Sequence, residues 1–245
     1  MKYKATRFLS VLLAFLMLIS GQSVLAHDDH EVEPPTVVED AEEMDLLDWE
    51  GEFINVASFL DEDDLQEGLQ EISDDHGVTV EEFKEEYIEH SGTAFKGLKF
   101  QDNAILFYDC RVTDEAEPVY RIAYDYLATY QGLQGNHPFE WYVFEAKELP
   151  EVEADTDDVD EEADAKADED QDDNFDPQEL KYIALMPIHG EELLAHFHIR
   201  YASEIDELWE AEDWYPVMVS AAIQDEQMVA MLDHHDRDSG DQHDE

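Results

Sequence analysis

The stretch His189-Gly190-Glu191-Glu192-Leu193-Leu194-Ala195-His196-Phe197-His198-Ile199 carries the densest coordination chemistry in the chain. On a strand, side chains i and i+2 share a face, so His196 and His198 point one way while Phe197 and Ile199 point the other. Two imidazoles one strand step apart can share a borderline-soft cation. His189, on the preceding turn or strand end, can fold back as a third nitrogen donor. Three nitrogens and one open position suit zinc, although cadmium, nickel and copper accept the same donors. A bare H-x-H is also how a solvated polar face reads, and it is the third histidine upstream that points to a metal. The remaining histidines are less suggestive: His27, His30, His234, His235 and His243 fall in polar chain ends, and His76 and His137 read as turn residues. Cys110, the single cysteine, has no intrachain partner and reads as a buried apolar thiol, which leaves no cysteine-based metal site.

The elements that must position these histidines are mainly strands. After Gly92, short apolar runs alternate with turns: Ala94 to Phe100, the turn Gln101-Asp102-Asn103, Ala104 to Tyr108, Val119 to Tyr130, a Gly132-Gly135 turn and Phe139 to Ala146. Tyr182 to Met186 and Ala195 to Tyr201 follow. This spacing is that of an antiparallel barrel or sandwich. Helix-like periodicity occupies Glu62 to Ser73 and Thr79 to Glu89, where Thr79 with Glu82 three residues later forms a capping signature. It returns in Glu204 to Ala211 and Asp225 to Leu232, on either side of Trp214-Tyr215-Pro216.

Composition narrows the partners. The chain has 245 residues, 66 of them Asp or Glu and 13 Lys or Arg, for a formal charge of -53. Sequence-independent nucleic-acid binding needs cations against phosphates and is excluded, and anionic membrane surfaces are disfavoured for the same reason. With 43% apolar and 11% aromatic residues the chain is nonetheless a folded one. Lys2, Lys4 and Arg7 precede an apolar run from Phe8 to Ile19 and a Val24-Leu25-Ala26 cleavage pattern, so residues 1–26 read as a secretory signal peptide. Its removal leaves -56 and no membrane-inserted segment. Residues 27–43 read as a mobile leader rich in His and acid, residues 44–235 as one domain, and residues 236–245 as a disordered tail.

Within the domain, residues 151–176 hold 15 acidic residues and one basic, too charged to offset ordering entropy by burial, and read as a solvated loop between strands. Asp168, Asp170, Asp172, Asn174, Asp176 and Glu179 fall at calcium-loop spacing, but Asp173 stands where the turn wants Gly, Pro177 intrudes, and a strand follows instead of a helix. Loose counter-ion accumulation fits this run better. Because the acidity extends over the whole chain, it suggests a surface adapted to high salt.

Asp48-Trp49-Glu50-Gly51, the aromatic strands Tyr120 to Tyr130 and Trp141 to Lys147, Lys181-Tyr182-Ile183, His196-Phe197-His198-Ile199, Trp214-Tyr215-Pro216 and a Met-rich last helix together resemble the ZinT (YodA) family. The resemblance spans roughly residues 45–235 without the acidic loop. It implies a mostly β fold with flanking helices, a lipocalin-like (calycin) antiparallel β-barrel. It also implies Zn2+ as the bound ion, with Cd2+ or other divalent metals possible, and His189, His196 and His198 as its ligands. His189 stands closer to the H-F-H strand than the family's upstream histidine. The segment Ile88-Glu89-His90-Ser91-Gly92 looks like the family's Tyr-His-Lys-Gly, with His90 near the site but outside the ligand set. Where members often carry a disulfide, this chain has Val119 and Ala146.

Three function classes follow. The leading one is a secreted protein, periplasmic or extracellular, that is not an enzyme and captures zinc for an uptake system, with a zinc ABC transporter's solute-binding protein as partner. A zinc hydrolase using three histidines and water would need a general base, for which Glu191 or Glu192 could serve. A barrel carrying an apolar ligand is the third.

Overall fold

Alternating apolar residues cut by turn formers produce nine strands among the described residues: β1 (Thr36–Val37), β2 (Gly51–Asn55), β3 (Gly97–Gln101), β4 (Ala104–Tyr108), β5 (Tyr120–Gln134), β6 (His137–Ala146), β7 (Tyr182–Leu185), β8 (His196–Ala202) and β9 (Val217–Ser220). The computed structural model describes residues 35–134, 137–150, 176–190, 195–211 and 213–240, with side chains 133, 134, 137, 138 and 234–240 left aside. Asp102 and Asn103 both adopt φ of 54°, the left-handed pair required by a two-residue hairpin turn, and so fix the register of β3 against β4.

All neighbouring strands are antiparallel, in the order β5-β4-β3-β2-β9-β8-β7-β6, and β6 pairs again with β5 from Tyr124↔Ala146 to Gln134↔His137. Eight strands therefore close on themselves and leave no open edge in the barrel wall. The fold class expected from the family resemblance, a lipocalin-like barrel with flanking helices, is the one observed. β1 lies against the far end of β5 through Thr36↔Gln131 and Val37↔Tyr130, so part of the leader is paired.

Every wall strand sends side chains inward, among them Phe53, Phe100, Phe107, Tyr124, Phe144, Leu185, Phe197 and Met218, and these form one buried cluster. Phe197 meets Phe53 edge-on at 4.9 Å and Phe100 at 5.8 Å, a geometry that aromatic quadrupoles favour. Trp49 joins this cluster, and its indole N–H donates to the Met186 carbonyl at 2.9 Å.

Outside the barrel, α1 (Gln66–His76), α2 (Val80–Ser91) and α3 (Asp225–Gly240) cover the outward residues of β2 and β9, with Leu69, Phe83 and Met231 in one cluster with Ile54, Val217 and Val219. α2 starts where the capping signature places it: the Glu82 N–H donates to Thr79 Oγ1 at 3.2 Å and the Thr79 N–H to Glu82 Oε2 at 2.8 Å. A third cluster, built on Trp141, Val143, Ala184 and Leu208, lies on the outer face of β6 to β8.

Several local expectations change. β2 and β9 are strands that the periodicity does not reveal, while Glu204 to Ala211 yields only a short 3-10 turn at Asp206–Trp209. Cys110 is exposed and not buried, because it lies just beyond the end of β4. His76 is the last residue of α1, followed by Gly77 in the left-handed region (φ 74°), and His137 opens β6. The last helix runs to Gly240, past Leu232. The signal peptide, residues 27–34 of the leader, acidic residues 151–175, Glu191, Glu192 and residues 241–245 lie outside the described residues. Of the calcium-type run, Asp176 caps the 3-10 turn Pro177–Leu180, its carboxylate accepting from the Gln178 N–H at 2.8 Å.

Candidate metal centre

The β7–β8 ladder runs in regular register from Tyr182↔Ala202 to Leu185↔Ile199, and the Met186 N–H donates to the His198 carbonyl at 3.0 Å. The next bridge is His189↔His196, with N–H···O distances of 2.9 and 2.8 Å. One extra residue has entered the upstream strand between these two points. In unbroken register His196 would oppose Ile188, and His189 would fall on the barrel-interior side; the bulge at Pro187-Ile188 turns His189 outward beside the other two. Proline has no N–H to offer the ladder, which makes this a natural place for it to slip.

The result brings together all three sequence-predicted residues. Their candidate ligand nitrogens lie within 4.8 Å of one another, with His189 exposed, His196 buried and His198 half-buried. Ring centroids are 4.1 Å apart for His189–His196 and 5.5 Å for each of the other pairs. The cluster sits on the outer face of β8, since Phe197 and Ile199 between and beyond the histidines point into the barrel.

Two of the imidazoles are oriented by main-chain carbonyls. His189 Nδ1 is 3.0 Å from the Pro187 oxygen, and His198 Nδ1 is 3.3 Å from the Tyr215 oxygen. A carbonyl can only accept, so Nδ1 carries the proton in each, and the Nε2 lone pair remains to face a cation. Burial pushes the His198 pKa down to about 3, with further lowering from His196, His189 and Arg200, against a smaller upward effect of the Tyr215 carbonyl. A neutral imidazole is the form that ligates metal.

Tyr215 and Arg200 complete the surroundings. Pro216 restrains Tyr215 to extended backbone, and the Tyr215 N–H donates to the His90 carbonyl at 2.8 Å while its own carbonyl serves His198. The Arg200 guanidinium is buried 4.5 Å from the Tyr215 ring centre and 5.6 Å from that of Trp141, and it donates to the Leu208 carbonyl at 2.9 Å. Arg200 follows His198 by two positions on the same strand face, so the alternation that gave the histidines could also have given it. His90 stays outside the cluster, its Nδ1 engaged with the Asp213 carbonyl at 3.0 Å, and it acts through its main chain.

Fold and site together define a calycin-like barrel with a three-histidine candidate metal centre on the outside of its wall. No family model matches the chain, and no curated protein does. Among solved structures the fold is similar to Zn(II)-bound AdcA from Streptococcus pneumoniae, with a TM-score of 0.50 and 20% identity over 80% of this chain. This chain spans 37% of that protein's length. The Zn(II)-bound ZinT-like domain of the same AdcA matches with a TM-score of 0.49 and 18% identity, over 80% of this chain and 94% of the domain. The likeness to AdcA is one of fold alone.

Proposed function

We propose that this is an exported zinc-binding protein that captures Zn(II) and supplies it to a zinc uptake system, with the solute-binding protein of a zinc ABC transporter as the receiving partner. The observation that carries the reading is the convergence of three imidazole nitrogens within 4.8 Å from backbone positions fixed by the β7–β8 ladder. Zinc with nitrogen ligands at about 2.0–2.1 Å in tetrahedral array needs those nitrogens about 3.3 Å apart, inside the 4.8 Å within which the three candidate nitrogens converge. The Nδ1 contacts orient the ligands as outer-shell carbonyls do in histidine metal sites. The same three donors accept Cd(II).

Other features favour metal binding over lipid carriage. The main-chain carbonyls beside His189 and His198 orient both imidazoles for a cation. The barrel interior is filled by aromatic and aliphatic side chains from all eight strands, where a carried apolar ligand would have to sit. A charge of -53 raises cation concentration at the surface and leaves selection to the histidines.

Competition between the mature protein and a chromophoric zinc chelator tests capture, and growth of a deletion strain in chelator-treated medium tests supply. One zinc bound per chain and a growth defect relieved by added zinc are expected. Absence of binding refutes capture; normal growth with binding intact refutes supply.

A further inference from the structure

The three histidines are held very differently. His196 is 4% exposed and pairs through its main chain with His189 on one side and Val219 on the other. His198 lies between Met186 and Val217 in the ladders, with its ring tied to the Tyr215 carbonyl. That carbonyl is itself fixed, because the Tyr215 N–H is bonded to His90 and its ring is stacked on the buried Arg200. His189 differs in every respect. It is exposed, lies beyond the last residue of β7, and joins the sheet through a single bridge after the bulge. Its Nδ1 contact goes to Pro187, two residues away within its own turn, so turn and ring move together. Ile188 beside it is also 42% exposed, which leaves this flank of the cluster open to an approaching molecule.

We infer that His189 is the exchange ligand of the cluster: zinc leaves when a donor atom of the acceptor replaces His189, while His196 and His198 hold the ion until the new bond is made. This rests on the zinc reading above. The step balances simply, since one bond from the acceptor to zinc forms, the zinc to His189 nitrogen bond breaks, no oxidation state changes, and His189 departs as neutral imidazole. The acceptor's group must be a nitrogen, oxygen or sulfur donor on a projecting side chain able to pass Ile188. A buried ligand set would release zinc only by unassisted dissociation, whereas one exposed arm on a rigid pair permits associative transfer.

The test uses the mature full chain loaded with zinc, as wild type, His189→Ala and His198→Ala, mixed with increasing 4-(2-pyridylazo)resorcinol as acceptor. Elemental analysis gives the starting stoichiometry, and circular dichroism confirms the barrel in each variant, with His198→Gln replacing His198→Ala if the latter unfolds. Wild-type transfer is expected to accelerate in proportion to chelator concentration. His189→Ala is expected to retain about one zinc per chain and release it at least about tenfold faster, while the His198 variant loses stoichiometric zinc. A wild-type rate independent of chelator, or a His189→Ala protein as empty as the His198 variant or as slow as wild type, overturns the inference. Wild-type protein that never holds zinc contradicts the proposed function instead, so the two failures are distinct.

Discussion

Replacing Asn55 with alanine should loosen the barrel where it supports the histidine strand. Asn55 is fully buried at the end of β2, and its Nδ2 donates to the Ser91 carbonyl at the C-terminus of α2 (2.7 Å) and to the Val217 carbonyl at the start of β9 (3.3 Å). Val217 is the ladder partner of His198, so one amide links helix, closing strand and candidate ligand. The substitution removes these two hydrogen bonds to carbonyls, worth about 1 kcal/mol each, and strands buried acceptors at about 1–3 kcal/mol, for a total of about 3–5 kcal/mol. In a domain of this size that corresponds to a fall of about 6–20 °C in Tm. Urea unfolding of the metal-free protein, followed by tryptophan fluorescence and far-ultraviolet circular dichroism, should show a lower midpoint with unchanged slope. A loss below about 0.5 kcal/mol would show that this amide does not brace the barrel.

Two further outcomes follow from the electrostatics. His198 is held neutral, with a folded-state pKa of about 3 against an ordinary value of 6.5. Between those limits the unfolded chain binds the extra proton, so metal-free stability is full above about pH 6.5 and declines as pH falls towards 3. In the metal-free protein the His198 ring protons should show no titration by NMR between pH 7.5 and 4.5; a midpoint near 6.5 would contradict the burial argument. A chain of charge -53 should gain stability as salt screens self-repulsion, so the urea midpoint should rise between low and molar KCl; a fall would remove the high-salt reading.

The histidine cluster was legible because strand alternation assigns His196 and His198 to one face irrespective of the rest of the fold. His189 was legible as a candidate only, since the bulge that turns it outward follows from the register of the β7–β8 ladder, which no local pattern states. The hairpin β3–β4 was readable from Gln101-Asp102-Asn103, and α2 from Thr79 and Glu82. β2 and β9 were not readable because both of their faces are covered: Phe53 and Met218 point into the barrel while Ile54, Val217 and Val219 lie under the helices. Short strands buried on two sides lose the alternation that marks a strand, and a four-residue run such as Val217–Ser220 fits a helix equally well. Yet these two strands pair with each other and close the barrel. The role of Asn55 was hidden for the same reason, since its partners belong to elements distant in sequence. Cys110 was misjudged because residue type predicts burial only on average, and here a strand end brings it to the surface.

The most direct test of the metal centre is elemental analysis of the mature protein purified without an affinity tag, beside the His196→Ala/His198→Ala double variant. One zinc per chain in the parent and a near-complete loss in the double variant is the predicted result. Metal absent from the parent after zinc addition, or retained unchanged by the variant, would contradict a zinc site on β8.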